Sequence, residues 1–148
     1  AEPESMAEVA FHFNAPDKLA YTARLLRKAW LKGARVVVLS PPEAIEELDR
    51  HIWLVGQGDF VPHARPGDPP AVQRHSPILL TDRLEGGDAA AVLVNLQAGA
   101  VDEPAAFARV IEVVGLDEAD RAAARQRWRA YTAAGIEPLR HDLKQSGA

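Results

Sequence analysis

RVVVLS, residues 35–40, is a near-continuous β-branched run without polar alternation. A strand with one wet face alternates polar and apolar residues, whereas an unbroken run marks a parallel strand covered on both faces. Upstream, EVAFHF (8–13) is short and β-rich. It leads into NAPDKLAYTARLLRKAWLKG (14–33), where Leu19, Ala23, Leu26 and Trp30 recur at helical spacing and Gly33 supplies a stop. Downstream, PPEAIEELDRHIWLV (41–55) opens on prolines and carries Ile45, Leu48 and Ile52 on one side. Strand, helix, strand, helix predicts an α/β class, a three-layer Rossmann-like domain with a mostly parallel sheet.

The remainder extends this pattern. GQGDFVPHARPGDPPAVQ (56–73) is dense in Gly and Pro and predicts a long surface connection, with FVPH (60–63) as a very short strand or docked turn. PILL (77–80) and AVLVNL (91–96) read as two further strands, separated by TDRLEGGD (81–88). Asp102, Glu103 and Pro104 look like an N-cap and first turn, predicting a helix to about Val114 that Gly115 ends. A last helix starts at Asp117, with acids at its positive end and arginines later. AEPES (1–5), before Met6, reads as an added leader, and residues 6–148 as a single domain.

Composition narrows the function classes. A 47% hydrophobic and 26% charged content is that of an ordinary globular chain. No apolar run approaches the roughly 20 residues that span a bilayer, so no transmembrane helix and no membrane partner are expected, and a chain without cysteine is compatible with the expected cytoplasmic location. Without a cysteine, disulfides and thiol catalysis are excluded. A net charge of −4 gives no global field for a polyanion, so any anion site must be local.

The turn after the first strand, FHFNAPDK (11–18), has no glycine for close approach to a pyrophosphate, and neither GxGxxG nor GxxxxGK[ST] occurs, so no nucleotide-binding loop is expected. His12, His51, His63, His75 and His141 lie far apart with no metal-binding spacing. Ser40 and Ser76 each precede proline rather than sit in GxSxG. No metal, cofactor or catalytic residue is expected.

Two surfaces carry chemistry instead. In ARQRWRAY (124–131) and its approach, Arg121, Arg125, Trp128, Arg129 and Thr132 share one helical face, cationic with an aromatic centre. The opposite face, with Ala119, Ala122, Ala123, Ala130, Ala133 and Ala134, would let the helix lie close to the domain. Trp128 then either covers the edge of the core or lines a pocket flanked by guanidinium groups. The second fate calls for a ligand that joins an anion to an apolar group. The other surface is IWLVGQGDFVPH (52–63). There Trp53 and Phe60 either plug the fold or mark a protein interface.

LDRHIW…DFVPH (48–63), SPILLTD…AVLVNL (76–96) and RQRWRAYTAAG (125–135) together resemble the chi-subunit family of the bacterial DNA polymerase III holoenzyme over nearly the whole chain from Met6. The resemblance implies a Rossmann-like fold that has lost its nucleotide site and a non-catalytic adaptor in the clamp-loader complex. Its partners would be the acidic, phenylalanine-ended tail of single-stranded DNA-binding protein and the psi subunit or another clamp-loader component. Association with single-stranded DNA would be indirect. The implied tail-binding residues are Arg121, Arg125, Trp128 and Arg129, with Leu116 as a wall; those for the psi side are Trp53 and Phe60. A contrasting reading is a small Rossmann-like enzyme that holds a nucleotide or phosphorylated metabolite on the arginine helix. A third is direct binding of single-stranded DNA, which an acidic chain with one stacking aromatic at the site disfavours.

Overall fold

The computed structural model describes residues 7–56 and 61–146. The β-branched run forms strand β2 (Arg35–Leu39), preceded by β1 (Val9–Ala15) and helix α1 (Lys18–Leu31). Asp17 caps α1 by accepting from the Ala20 amide at 3.1 Å, and Gly33 follows it at φ 79°, a conformation that costs glycine little. Helix α2 (Pro42–Gly56), α3 (Pro70–His75), β3 (Ile78–Thr81) and β4 (Asp88–Asn95) come next. After one 3₁₀ turn (Pro104–Ala106) the chain adds β5 (Phe107–Gly115), α4 (Glu118–Ala133), β6 (Leu139–Asp142) and α5 (Leu143–Ser146).

The six strands among the described residues form one all-parallel sheet in the order β3-β2-β4-β5-β1-β6. One face packs α1, α2 and α5 through Leu26, Ile45, Leu48, Ile52 and Leu143. The other packs α4 through Phe11, Val110, Ala124 and Tyr131. The three-layer Rossmann-like class is as expected, and the sheet is wholly rather than mostly parallel.

The helix expected over 102–114 is not formed. Its Pro104 signal ends in a single 3₁₀ turn, and FARVIEVVG becomes β5, hydrogen-bonded between β4 and β1. Val110, Ile111, Val113 and Val114 are β-branched and buried, which suits a strand covered on both faces. From Val61 onward, the connection after α2 is more ordered than its composition suggests. Val61 is buried, Ala64 bridges Leu79 of β3, and Pro69 and Pro70 start the short helix α3. Residues 139–142, not expected as a strand, close the sheet edge against β1.

Leu48 is fully buried between α2 and the sheet. Leu48→Ala is expected to lower unfolding free energy by about 2–5 kcal/mol, measured by urea denaturation.

Candidate functional site

α1 leaves β1 on one face of the sheet, while α4 leaves the neighbouring β5 on the other. The two connections diverge and open a crevice outside the carboxyl ends of these strands, where open α/β sheets take ligands. A pocket of about 440 Å³ lies there, lined by Phe11, Phe13 and Asn14 of β1, Val114 and Gly115 of β5, Arg121, Ala124, Arg125 and Trp128 of α4, and Arg140 of β6. Asn14 adopts φ 69°, which asparagine tolerates better than most residues, and donates to Asp142 at 2.9 Å.

Aromatic rings and guanidinium groups dominate this lining. Trp128 is half-buried with its ring centroid 5.1 Å from that of Phe11, so it meets both fates foreseen for it, core cover and pocket wall. Arg125 donates to Glu118 at 2.7 Å with both side chains largely exposed, and this bond with the Arg125 charge holds the Glu118 carboxyl below its usual range. The Arg140 guanidinium lies 5.1 Å over the Phe13 ring. Arg121 and Arg125 come together with Trp128 as the helical spacing required. Arg129 and Leu116 are exposed and do not line the pocket.

What orients α4 is not its alanine face. Ala119, Ala122, Ala130, Ala133 and Ala134 are exposed and Ala123 only partly covered, while Ala124, Arg127 and Tyr131 are buried. Small side chains offer little apolar area. The helix is instead turned toward Glu112, fully buried in mid-β5. Arg127 Nε donates to Glu112 Oε1 at 2.7 Å, while the Tyr131 hydroxyl and Asn95 Nδ2 donate to Oε2 at 2.6 and 2.9 Å. Every one of these contacts comes from a donor, as a carboxylate requires. Burial pushes the Glu112 carboxyl up, and the Arg127 charge and these hydrogen bonds pull against it. Burial and the Glu112 charge push the Tyr131 hydroxyl up, so it stays a donor. Arg127, one of the three arginines crowded around Trp128 in the sequence, is therefore structural. The sequence signal for it was the single acid inside RVIEVVG (109–115), legible once that segment is read as a buried strand.

On the opposite face of β1, His12 lies 2.6 Å from the Tyr21 hydroxyl and 4.9 Å, ring to ring, from His141. Burial, then the charges of His141 and Arg109, bring His12 down to about 4.

The second surface lies at the end of α2. Trp53 is 56% and Leu54 72% exposed, and with Glu47, Arg50 and His51 they line a hollow of about 300 Å³. His63, from the docked turn, lies against the Trp53 ring and holds the Asp49 carboxylate through Nε2 and the Val61 carbonyl through Nδ1. Phe60 lies outside the described residues. Among the described residues no group of His, Asp and Glu is placed to hold a metal, and no helix is long and apolar enough to cross a membrane.

A family described as DNA polymerase III chi subunit, HolC, matches residues 6–138. The DNA polymerase III subunit chi of Pseudomonas aeruginosa is 31% identical over 127 residues, covering 85% of this chain and 87% of that protein. The Haemophilus influenzae protein of the same name is 30% identical over 110 residues (71% and 73%), and that of Escherichia coli 27% over 109 (72% and 73%). Among solved structures, the C-terminal domain of S. cerevisiae Dbp5 superposes with TM-score 0.56 at 11% identity, covering 93% of this chain and 90% of that one. At that identity the likeness is one of fold.

Two outcomes follow from these environments. Arg127→Ala leaves a buried carboxylate without its counter-charge and is expected to cost about 3–5 kcal/mol in chemical denaturation, far more than loss of any exposed arginine of α4. For His12, the unfolded chain takes up a proton below its ordinary 6.5 while the folded chain refuses it until about 4. Stability is therefore lost as pH falls through that window and the contribution is constant below it. Urea midpoints measured from pH 7 to 4 should fall less steeply for His12→Gln than for the parent.

Proposed function

Because the chain belongs to the DNA polymerase III chi-subunit family, we propose that it acts in DNA replication as a non-catalytic adaptor. In this reading the pocket beside α4 receives the acidic, phenylalanine-ended tail of single-stranded DNA-binding protein, and the Trp53 surface meets the psi subunit or another clamp-loader component. The observation that carries the first part is the pocket lining. Three arginines, Arg121, Arg125 and Arg140, surround a floor of Phe11, Phe13 and Trp128. That floor accepts an apolar side chain, and the guanidinium forks accept the carboxylate attached to it.

Arg125 is the residue for the terminal carboxylate. In the free protein it is occupied by Glu118, so a ligand carboxylate replaces an existing partner rather than meeting an idle charge. Both side chains are exposed, and the exchange is easy because such pairs are weak and screened by salt. Arg121, on the same wall, and Arg129, on the exposed side of the helix, attract upstream acids. For the second surface, the support is the exposure of Trp53 and Leu54 beside a hollow on a well-packed helix.

Titration with a fluorescent peptide ending Asp-Asp-Ile-Pro-Phe, followed by anisotropy, tests this. We expect a Kd on the order of micromolar, about −8 kcal/mol, weakening as salt rises. Arg125→Ala should abolish binding while leaving Tm within about 2 °C, because an exposed charge contributes little to folding. Glu118→Gln, which removes the competing carboxylate, should tighten binding by roughly two- to fivefold. No binding at low salt, together with a thermal shift on adding nucleotide, would instead favour a small enzyme for phosphorylated ligands.

A further inference from the structure

The third arginine of the pocket comes from a different wall. β6 pairs in parallel with β1, with Arg140 opposite Phe11 and Asp142 opposite Phe13. Side chains alternate along strands, so this register sends Arg140 to the face that carries the aromatic floor and α4, while Leu139 and His141 point to the other. β6 is the last strand of the sheet, so Arg140 forms the outer rim of the pocket, across the rings of Phe11 and Phe13 from Arg121 and Arg125 of α4.

Its surroundings differ from those of the other cations nearby. Lys18 pairs with Asp120 at 3.0 Å and Arg125 with Glu118 at 2.7 Å. No carboxylate pairs with Arg140 among the described residues; its guanidinium instead lies over the Phe13 ring, 5.1 Å from the centroid. A ring face orients a guanidinium while leaving its edge N–H groups unspent, and arginine tolerates this because it is weakly hydrated. The pocket thus has cations on two walls with an apolar floor between them. The α4 wall takes the terminal carboxylate at Arg125 and draws upstream acids to Arg121. The β6 wall offers a further anion a place on the far side of the floor.

We propose that Arg140 is a further recognition residue of this pocket, taking the carboxylate of an acidic side chain upstream of the terminal apolar residue while Arg125 takes the terminal carboxylate. This rests on the peptide-binding reading above. It adds a contact on the far wall to the selectivity for an acidic terminus that Arg121 and Arg129 begin.

The test measures two fluorescent peptides, one ending Asp-Asp-Ile-Pro-Phe and one ending Asn-Asn-Ile-Pro-Phe, against the parent protein, Arg140→Ala, Arg140→Lys and Arg125→Ala. Arg140→Ala should weaken the aspartate peptide roughly three- to tenfold and the asparagine peptide by less than about twofold, lowering the preference between them to what Arg121 and Arg129 sustain. Arg140→Lys should restore part of that preference, which a variant harmed only in folding would not do. Arg125→Ala should abolish binding of both peptides. If the parent binds and Arg140→Ala leaves the preference intact, or weakens both peptides equally, the role of Arg140 is overturned while the peptide site stands. If the parent binds neither peptide, the site reading itself fails, and the role of Arg140 with it.

Discussion

A carboxylate buried in the middle of the sheet sets the terms for everything packed around it. Glu112 is fully enclosed in β5, and an isolated ion there would cost far more than a domain of this size can spare. It is kept by three donors from two elements: Asn95 from the neighbouring strand β4, and Arg127 and Tyr131 from α4. Those donors have further partners. Arg127 also donates to the Ala98 carbonyl at 3.2 Å, Asn95 to the Gly99 carbonyl at 3.0 Å, and the Tyr131 hydroxyl accepts from the Val101 amide at 2.9 Å. One buried charge therefore ties the loop after β4 and the whole of α4 to the sheet centre.

The pocket follows from that constraint. With Arg127 and Tyr131 turned inward, the 3.6-residue repeat turns Arg121 and Arg125 outward and leaves Trp128 at the boundary, against Phe11. The N-terminus of the helix is tied down separately. Asp117 caps it, and Asp120 accepts from the Gly115 amide at 2.7 Å while pairing with Lys18 of α1. Both ends of the cationic face are thus held, and its arginines meet the pocket at fixed positions along the crevice. A buried ion pair is weak evidence for stability in itself, but here it selects the rotation of one helix about its axis. An all-alanine inner face would not select any rotation.

Sheet topology supplies the rest. The departure of α1 and α4 to opposite faces from the neighbouring parallel strands β1 and β5 opens the crevice, and the return of the chain as β6 along the free edge of β1 closes its outer side with Arg140. The same crevice in nucleotide-binding relatives of this architecture uses glycines to bring the backbone to a phosphate. Here it is floored with aromatic rings and rimmed with guanidinium groups, so side chains rather than backbone amides face the crevice. Trp53 and Leu54 lie at the far end of α2 on the other helical layer, so a partner there need not touch the pocket.

Local pattern was enough for the class of fold, for β1, α1, β2, α2, β3, β4 and α4, and for the triad Arg121, Arg125 and Trp128, because periodicity and capping act over a few residues. It misread β5, where a cap-like Asp-Glu-Pro precedes a β-branched run that only two flanking strands make into a strand. It also misassigned the inner face of α4, because alanines mark a helix face by size while the buried Arg127 is read as surface until Glu112 is known to lie beneath it. Phe11, Phe13 and Arg140 belong to the pocket through strand register alone, across more than 120 residues of chain. The sequence by itself determined the alternation of strands and helices and the presence of a cationic, aromatic helix face, since both are written in near-neighbour spacing. Only the tertiary structure decided which arginine is buried and which residues form the opposite wall, since a charge is paired or free according to what the rest of the chain brings beside it.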